Sequence, residues 1–343
     1  MLTVVGVLVF APAITAAAPA GAANSVRGQE WWLGGLGVTQ AWQKSEGSGI
    51  TVAVLGTGVD ASYPGLAGSV ITGPDYTGSG RRPGNPYWGF EGTAVAGIIA
   101  ARQRDPGLVG VAPAAKILSV RVTLEFNDPL ASDQAVSRRL PDAIADGIRY
   151  AADHGSRIID LPLDPGTLGL TTKGDPAAAG GSAAERAAIA YALGKGIVLV
   201  APAGDDGQGP AIVNYPAAYP GVLAVGAIGR DGKLASFSGR RSYVALTAPG
   251  VSLITASLPD GHGTISSTST ASGIVAGVAA LVLSRFPHLT ATQVTQALVE
   301  STARTAGDCS PNAGVWRATA MRARPRAARG SRRWTGRPCS ART

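Results

Sequence analysis

Thr51-Val52-Ala53-Val54-Leu55-Gly56-Thr57-Gly58-Val59-Asp60 is the stretch that decides how this chain folds. The apolar run from Val52 to Leu55 has no polar break and stops at a Gly-Thr-Gly turn. A strand that is apolar on both faces must be covered on both, which is the condition of a parallel sheet held between helices. Outward from it, similar runs recur at residues 116–122, 157–163, 197–201, 222–228 and 243–246. Helical patterns separate them. Pro141 opens one, with Ile144, Ile148 and Ala152 on one face and Gly155 past its end. Ser182 with Glu185 forms a capping box for a helix reaching Leu193, and Thr290 with Gln293 caps another reaching about Thr302. Strands alternating with helices predict an α/β fold built on a mainly parallel sheet.

Composition agrees. The chain has 343 residues, 45% of them apolar and 15% charged, which suits a well-buried sheet and excludes a disordered chain. The net charge of +8 is misleading. Nine arginines and no acid lie between Arg317 and Thr343, so the rest is near neutral and a nucleic-acid partner is not expected. The apolar stretch from Leu2 to Ile14, followed by small residues to Ala23, reads as a secretory signal. No later segment has the length and apolarity of a membrane span. The two cysteines, Cys309 and Cys339, make no disulfide framework. The expected organisation is a signal at 1–23, an N-terminal extension at 24–47, one domain at 48–304 and a basic, unstructured tail at 305–343. A secreted or cell-envelope location follows. The polar connection 124–140 is long enough to flank a binding cleft.

Chemistry concentrates in two further blocks. Ser267-Thr268-Ser269-Thr270-Ala271-Ser272 runs into Gly273-Ile274-Val275-Ala276-Gly277, which sets a hydroxyl at the mouth of an apolar helix ending before Pro287. Glu91-Gly92-Thr93-Ala94-Val95-Ala96-Gly97 opens a helix of small residues. With the strand at 51–60, and in this order, they resemble the three signature blocks of the subtilisin-like serine proteases, the subtilases, over residues 30–300. The short gap between the signal and Glu30-Trp31-Trp32-Leu33, without room for a folding pro-domain, is similar to the mycosins of type VII secretion.

The resemblance implies a subtilisin-like three-layer α/β/α fold and a serine endopeptidase acting on extended peptides or proteins, with no cofactor and no metal. It also marks the departures. The family's first block carries an Asp that orients the base, and here that position is Gly56. The second carries the general-base His, and here it is Glu91. The nucleophile position, Ser269, is kept. Asp205, in Ala203-Gly204-Asp205-Asp206-Gly207, stands where the family has an oxyanion-binding Asn, and an ionised carboxylate cannot donate to that charge. Leu161, Pro162 and Leu163 fall in the segment that pairs with substrate. Pro162 there either removes a donor from the pairing edge or marks a strand end before Asp164-Pro165-Gly166. In that family, loss of the His or the Ser alone costs about 10⁶ in turnover and loss of the Asp about 10⁴. Of the three histidines, His154 fits a helix end, His262 a turn in Gly261-His262-Gly263, and His288 an inter-helix link. Asp60 fits a turn. The expected function is a severely impaired pseudopeptidase that still holds extended peptide. The alternatives are an acid peptidase with Glu91 as base and a protonated Asp205 as donor, similar to the sedolisins though Val95 stands where those carry a supporting Asp, and a decayed product without a role.

Overall fold

The computed structural model describes residues 26–102, 107–163, 181–207, 213–258, 261–304 and 314–316. The signal segment, both cysteines, the Asp164-Pro165-Gly166 turn and the arginine-rich stretch lie outside them. The described residues contain eleven strands: β1 Thr51–Gly56, β2 Val70–Asp75, β3 Lys116–Arg121, β4 Ile158–Asp160, β5 Val198–Pro202, β6 Val222–Ile228, β7 Val244–Pro249, β8 Leu253–Ser257, β9 Gly261–Ile265, β10 Thr302–Arg304 and β11 Gly314–Trp316. Nine of them form one sheet in the order β10-β11-β7-β6-β5-β4-β1-β3-β2. Within this sheet every pairing is parallel except that of β10 with β11, and β8 and β9 pair antiparallel as a separate two-stranded sheet.

The period of two explains the layers. Val52, Val54, Val198 and Val200 turn to one face, and Ala53, Leu55, Leu199 and Ala201 to the other. Helices α1 (Phe90–Ala100) and α4 (Thr268–Arg285) cover the first face, and α2 (Leu140–Asp153) and α3 (Ala183–Gly194) the second. A further helix, α5 (Ala291–Glu300), packs beside α4. Among the described residues α4 alone is long and apolar enough to cross a membrane, and 89% of its apolar window is buried inside the protein, as a core helix requires.

The expected α/β/α architecture is therefore found, with local differences. Strand β2 has no apolar run because Gly73-Pro74 interrupts it, and its half-exposed edge position needs none. Residues 157–163 yield only the three-residue β4. His262 lies in β9, opposite Ala256 of β8, rather than in a turn. The chain also returns to the sheet after the boundary expected at 304, because β11 pairs with both β10 and β7.

Strands β2 and β3 lie on one side of β1, while β4 to β7 lie on the other. The carboxyl ends of β1 and β4 therefore frame a topological switch point, where open parallel sheets bind ligands. Gly56 ends β1 and Asp160 ends β4.

Candidate active site

The turn after β1 is locked to the start of α1. Gly89 N–H donates to Thr57 O at 3.1 Å, and Gly92 N–H to Thr57 Oγ1 at 3.1 Å. The approach is so close that a Cβ on Gly92 would fall 2.0 Å from Gly58 O, so only glycine fits. Helix α1 begins at Gly89, which is left-handed and has no side chain to cap with. The cap comes from elsewhere. Glu125 Oε1 accepts from Phe90 N–H at 2.6 Å and from Glu91 N–H at 3.4 Å. With Gly92 on Thr57 and Thr93 N–H on Gly89 O at 3.0 Å, all four first-turn donors are satisfied.

Glu125 is 2% exposed. Burial pushes its carboxyl above the usual range, against the opposing pull of the Thr57 hydroxyl, the two amides and the Arg121 charge. Arg121 is itself buried, donating through Nε to Thr57 O at 2.9 Å and through Nη1 to Asp75 at 3.0 Å and Thr77 at 2.9 Å. Glu91 is half-buried on the first turn of α1. Gly56 does not have a positive φ, and a Cβ there would meet Pro162 Cγ at an ordinary 3.4 Å.

On the other side, Ser267 caps α4 by accepting from Ser269 N–H at 2.9 Å. Asp205 follows β5, and its Oδ1 accepts from both Thr268 N–H and Thr268 Oγ1 at 2.8 Å. Burial raises the Asp205 carboxyl above its ordinary range, while the bonds from Thr268 and Ser267 pull the other way. Ser269 is 1% exposed, and its Oγ has no hydrogen-bond partner among the described residues. Its carbonyl accepts from Ser272 Oγ at 2.9 Å. Helix α4 lies tightly along α1: a Cβ on Gly273 would sit 3.1 Å from Val95 Cγ1.

The fold thus brings the Gly56 turn to Glu91, and Asp205 to the helix of Ser269. It does not leave residues 161–163 open. Leu161, Pro162 and Leu163 are buried, with Leu161 N–H on Val200 O at 2.9 Å and Leu163 N–H on Leu161 O at 2.7 Å. Leu161 and Leu163 belong to the core under α2 and α3, and β4 ends at Asp160, two residues before Pro162. His154 stacks on Tyr150 at 3.7 Å, with Nδ1 2.7 Å from Tyr150 O. Asp60 closes a turn onto Ser62 N–H at 2.8 Å.

Two buried carboxyls near the site escaped sequence reading, Glu125 and Asp160. Asp160 is fully buried at the end of β4. Burial pushes its carboxyl up to about 8, offset only slightly by the Ser272 hydroxyl and the Leu161 amide, both committed to other acceptors. A charged residue inside the apolar run 158–163 was a signal in itself. Glu125, in a polar connection, carried none.

Known proteins show the same organisation. The subtilase family model matches residues 47–321. Thermitase of Thermoactinomyces vulgaris is 37% identical over 247 residues, covering 72% of this chain and 79% of thermitase. Fervidolysin of Fervidobacterium pennivorans is 34% identical over 301 residues, covering 80% of this chain but 40% of fervidolysin, and its crystal structure superposes with a TM-score of 0.71 over 88% of this chain and 48% of that one. The chain therefore spans less than half the length of that relative. MycP1 of Mycobacterium smegmatis superposes with a TM-score of 0.69 at 26% identity, over 91% of this chain and 90% of that one, in line with the expected likeness to mycosins. With most of its length inside the family model and two-layered helices around the same sheet, the chain belongs to the subtilase family.

Proposed function

We propose that the protein is an exported subtilase whose peptide-cutting chemistry is severely impaired at neutral pH, a pseudopeptidase. The state of Ser269 carries this reading: its Oγ has no partner among the described residues, position 91 holds a carboxyl instead of an imidazole, and position 56 holds no side chain. A serine hydroxyl without a base reacts as an ordinary alcohol. Asp205 supports it too, since one of its oxygens is committed to Thr268 and an anion at that site repels a developing oxyanion.

A second reading, peptide cleavage at acid pH with Glu91 as base, is favoured by the raised carboxyl of Asp205, which donates a hydrogen bond once protonated. Casein or peptide cleavage across roughly pH 3 to 9, with Ser269→Ala as control, separates the two. No Ser269-dependent cleavage at neutral pH is expected. Neutral cleavage lost in Ser269→Ala overturns the impaired reading, and cleavage confined below about pH 5 supports the second.

A further inference from the structure

The base-side half of the site contains a carboxylate that no signature block supplies. Glu125 comes from the segment after β3, yet its Oε1 rests on the amides of Phe90 and Glu91, and the hydroxyl of Thr57, the residue that follows Gly56, favours its ionised form. It therefore lies between the turn that lacks a triad carboxylate and the backbone of the residue at the base position. At 2% exposure it is shielded from water, so a charge there is little screened by solvent. The Arg121 guanidinium, held on Thr57 O, Asp75 and Thr77, is a counter-charge that favours the ionised carboxylate against the burial that raises it.

We propose that Glu125 supplies, from beyond β3, the carboxylate missing at Gly56, and that it is a positioning residue for a base at residue 91. The inference rests on the reading of residue 91 as the base position of this site. Its sharp consequence is that the site lacks a base but not the group that orients one. A carboxylate restored at residue 56 would then be redundant, and would put a second buried negative charge beside the first. The competing explanation is that Glu125 only caps α1. A glutamine separates the two, because its carbonyl still accepts from the amides of Phe90 and Glu91 while its charge is gone.

The test uses the full chain in three forms: E91H, E91H/E125Q and G56D/E91H/E125Q. The first readout is the pKa of the introduced imidazole, followed by NMR and assigned by difference from the parent's three histidines. An opposite charge at this range raises it by about one unit or more, so E91H should titrate at least that far above E91H/E125Q. Equal values overturn the proposal. E91H/E125D, one methylene shorter, should fall between them and replaces E125Q if that variant does not fold. The second readout is peptide turnover at neutral pH. E91H should cut without any change at Gly56, and E125Q in that background should lower kcat about a hundredfold or more with KM little changed. Activity in G56D/E91H/E125Q with none in E91H overturns the proposal, since the carboxylate must then come from residue 56. If all three forms are inactive while the imidazole shift is present, the positioning role stands and the failure belongs to the cleft or the oxyanion site.

Discussion

Glu125 and Asp160 flank strand β1, one after its neighbour β3 and the other ending its neighbour β4, and both are buried carboxyls with raised pKa values. Their surroundings are opposite. Glu125 receives Phe90 N–H and Glu91 N–H, and the Arg121 charge favours its ionised form. Asp160 meets only donors already committed to Ser269 O and Val200 O, and neither of its oxygens has a hydrogen-bond partner within normal reach among the described residues. The same desolvation therefore yields two outcomes. With donors and a counter-charge, a buried carboxyl organises a helix start and a turn. Without them it stays protonated and is a burden on the fold.

Removing the burden should give the largest effect. Asp160 titrates near 8 in the folded protein and near its ordinary 3.8 when unfolded. Below pH 4 both states are protonated and there is no penalty. Between pH 4 and 8 the unfolded chain ionises while the folded one does not, so stability falls. Above pH 8 the penalty is constant. Asp160→Asn should therefore match the parent below about pH 4 and exceed it by about 5 kcal/mol at pH 8. Melting curves across that span check it, and a pH-independent gap would put Asp160 on a par with Glu125. Next in size, Glu125→Ala leaves two helix amides without their acceptor and should cost about 2 kcal/mol, against less than about 1 for Glu125→Gln. Denaturant midpoints measure both, and equal losses would mean that the cap is irrelevant. The smallest change sharpens the contrast between a distant cap and a local one: Ser267→Ala, which removes the side-chain cap of α4, should cost about 1 kcal/mol.

What the sequence made legible is what local pattern encodes. The strands at 51–56 and 222–228 announce themselves as unbroken apolar runs, and Ser182 and Thr290 cap the helices their spacing suggests. Thr290 and Gln293 form the reciprocal box in full. Strands β2 and β9 were not legible because they are largely half-exposed and interrupted by glycine, so tertiary pairing rather than pattern makes them strands. At the site, the positions of Gly56, Glu91, Asp205 and Ser269 followed from their blocks. Glu125 did not, because its partners lie 34 and 35 residues away in the chain and nothing local distinguishes it from a solvated acid.

The 1% exposure of Ser269 has a kinetic meaning. A reagent that modifies its hydroxyl must wait for the overlying segments to part, so the observed rate is the product of an opening equilibrium and the rate in the open form. Slow modification by itself then says nothing about nucleophilicity. Reagents that share one reactive group but differ in bulk divide the two factors: the dependence on bulk measures how wide the protein breathes at this point, and the limit reached by the smallest measures the hydroxyl.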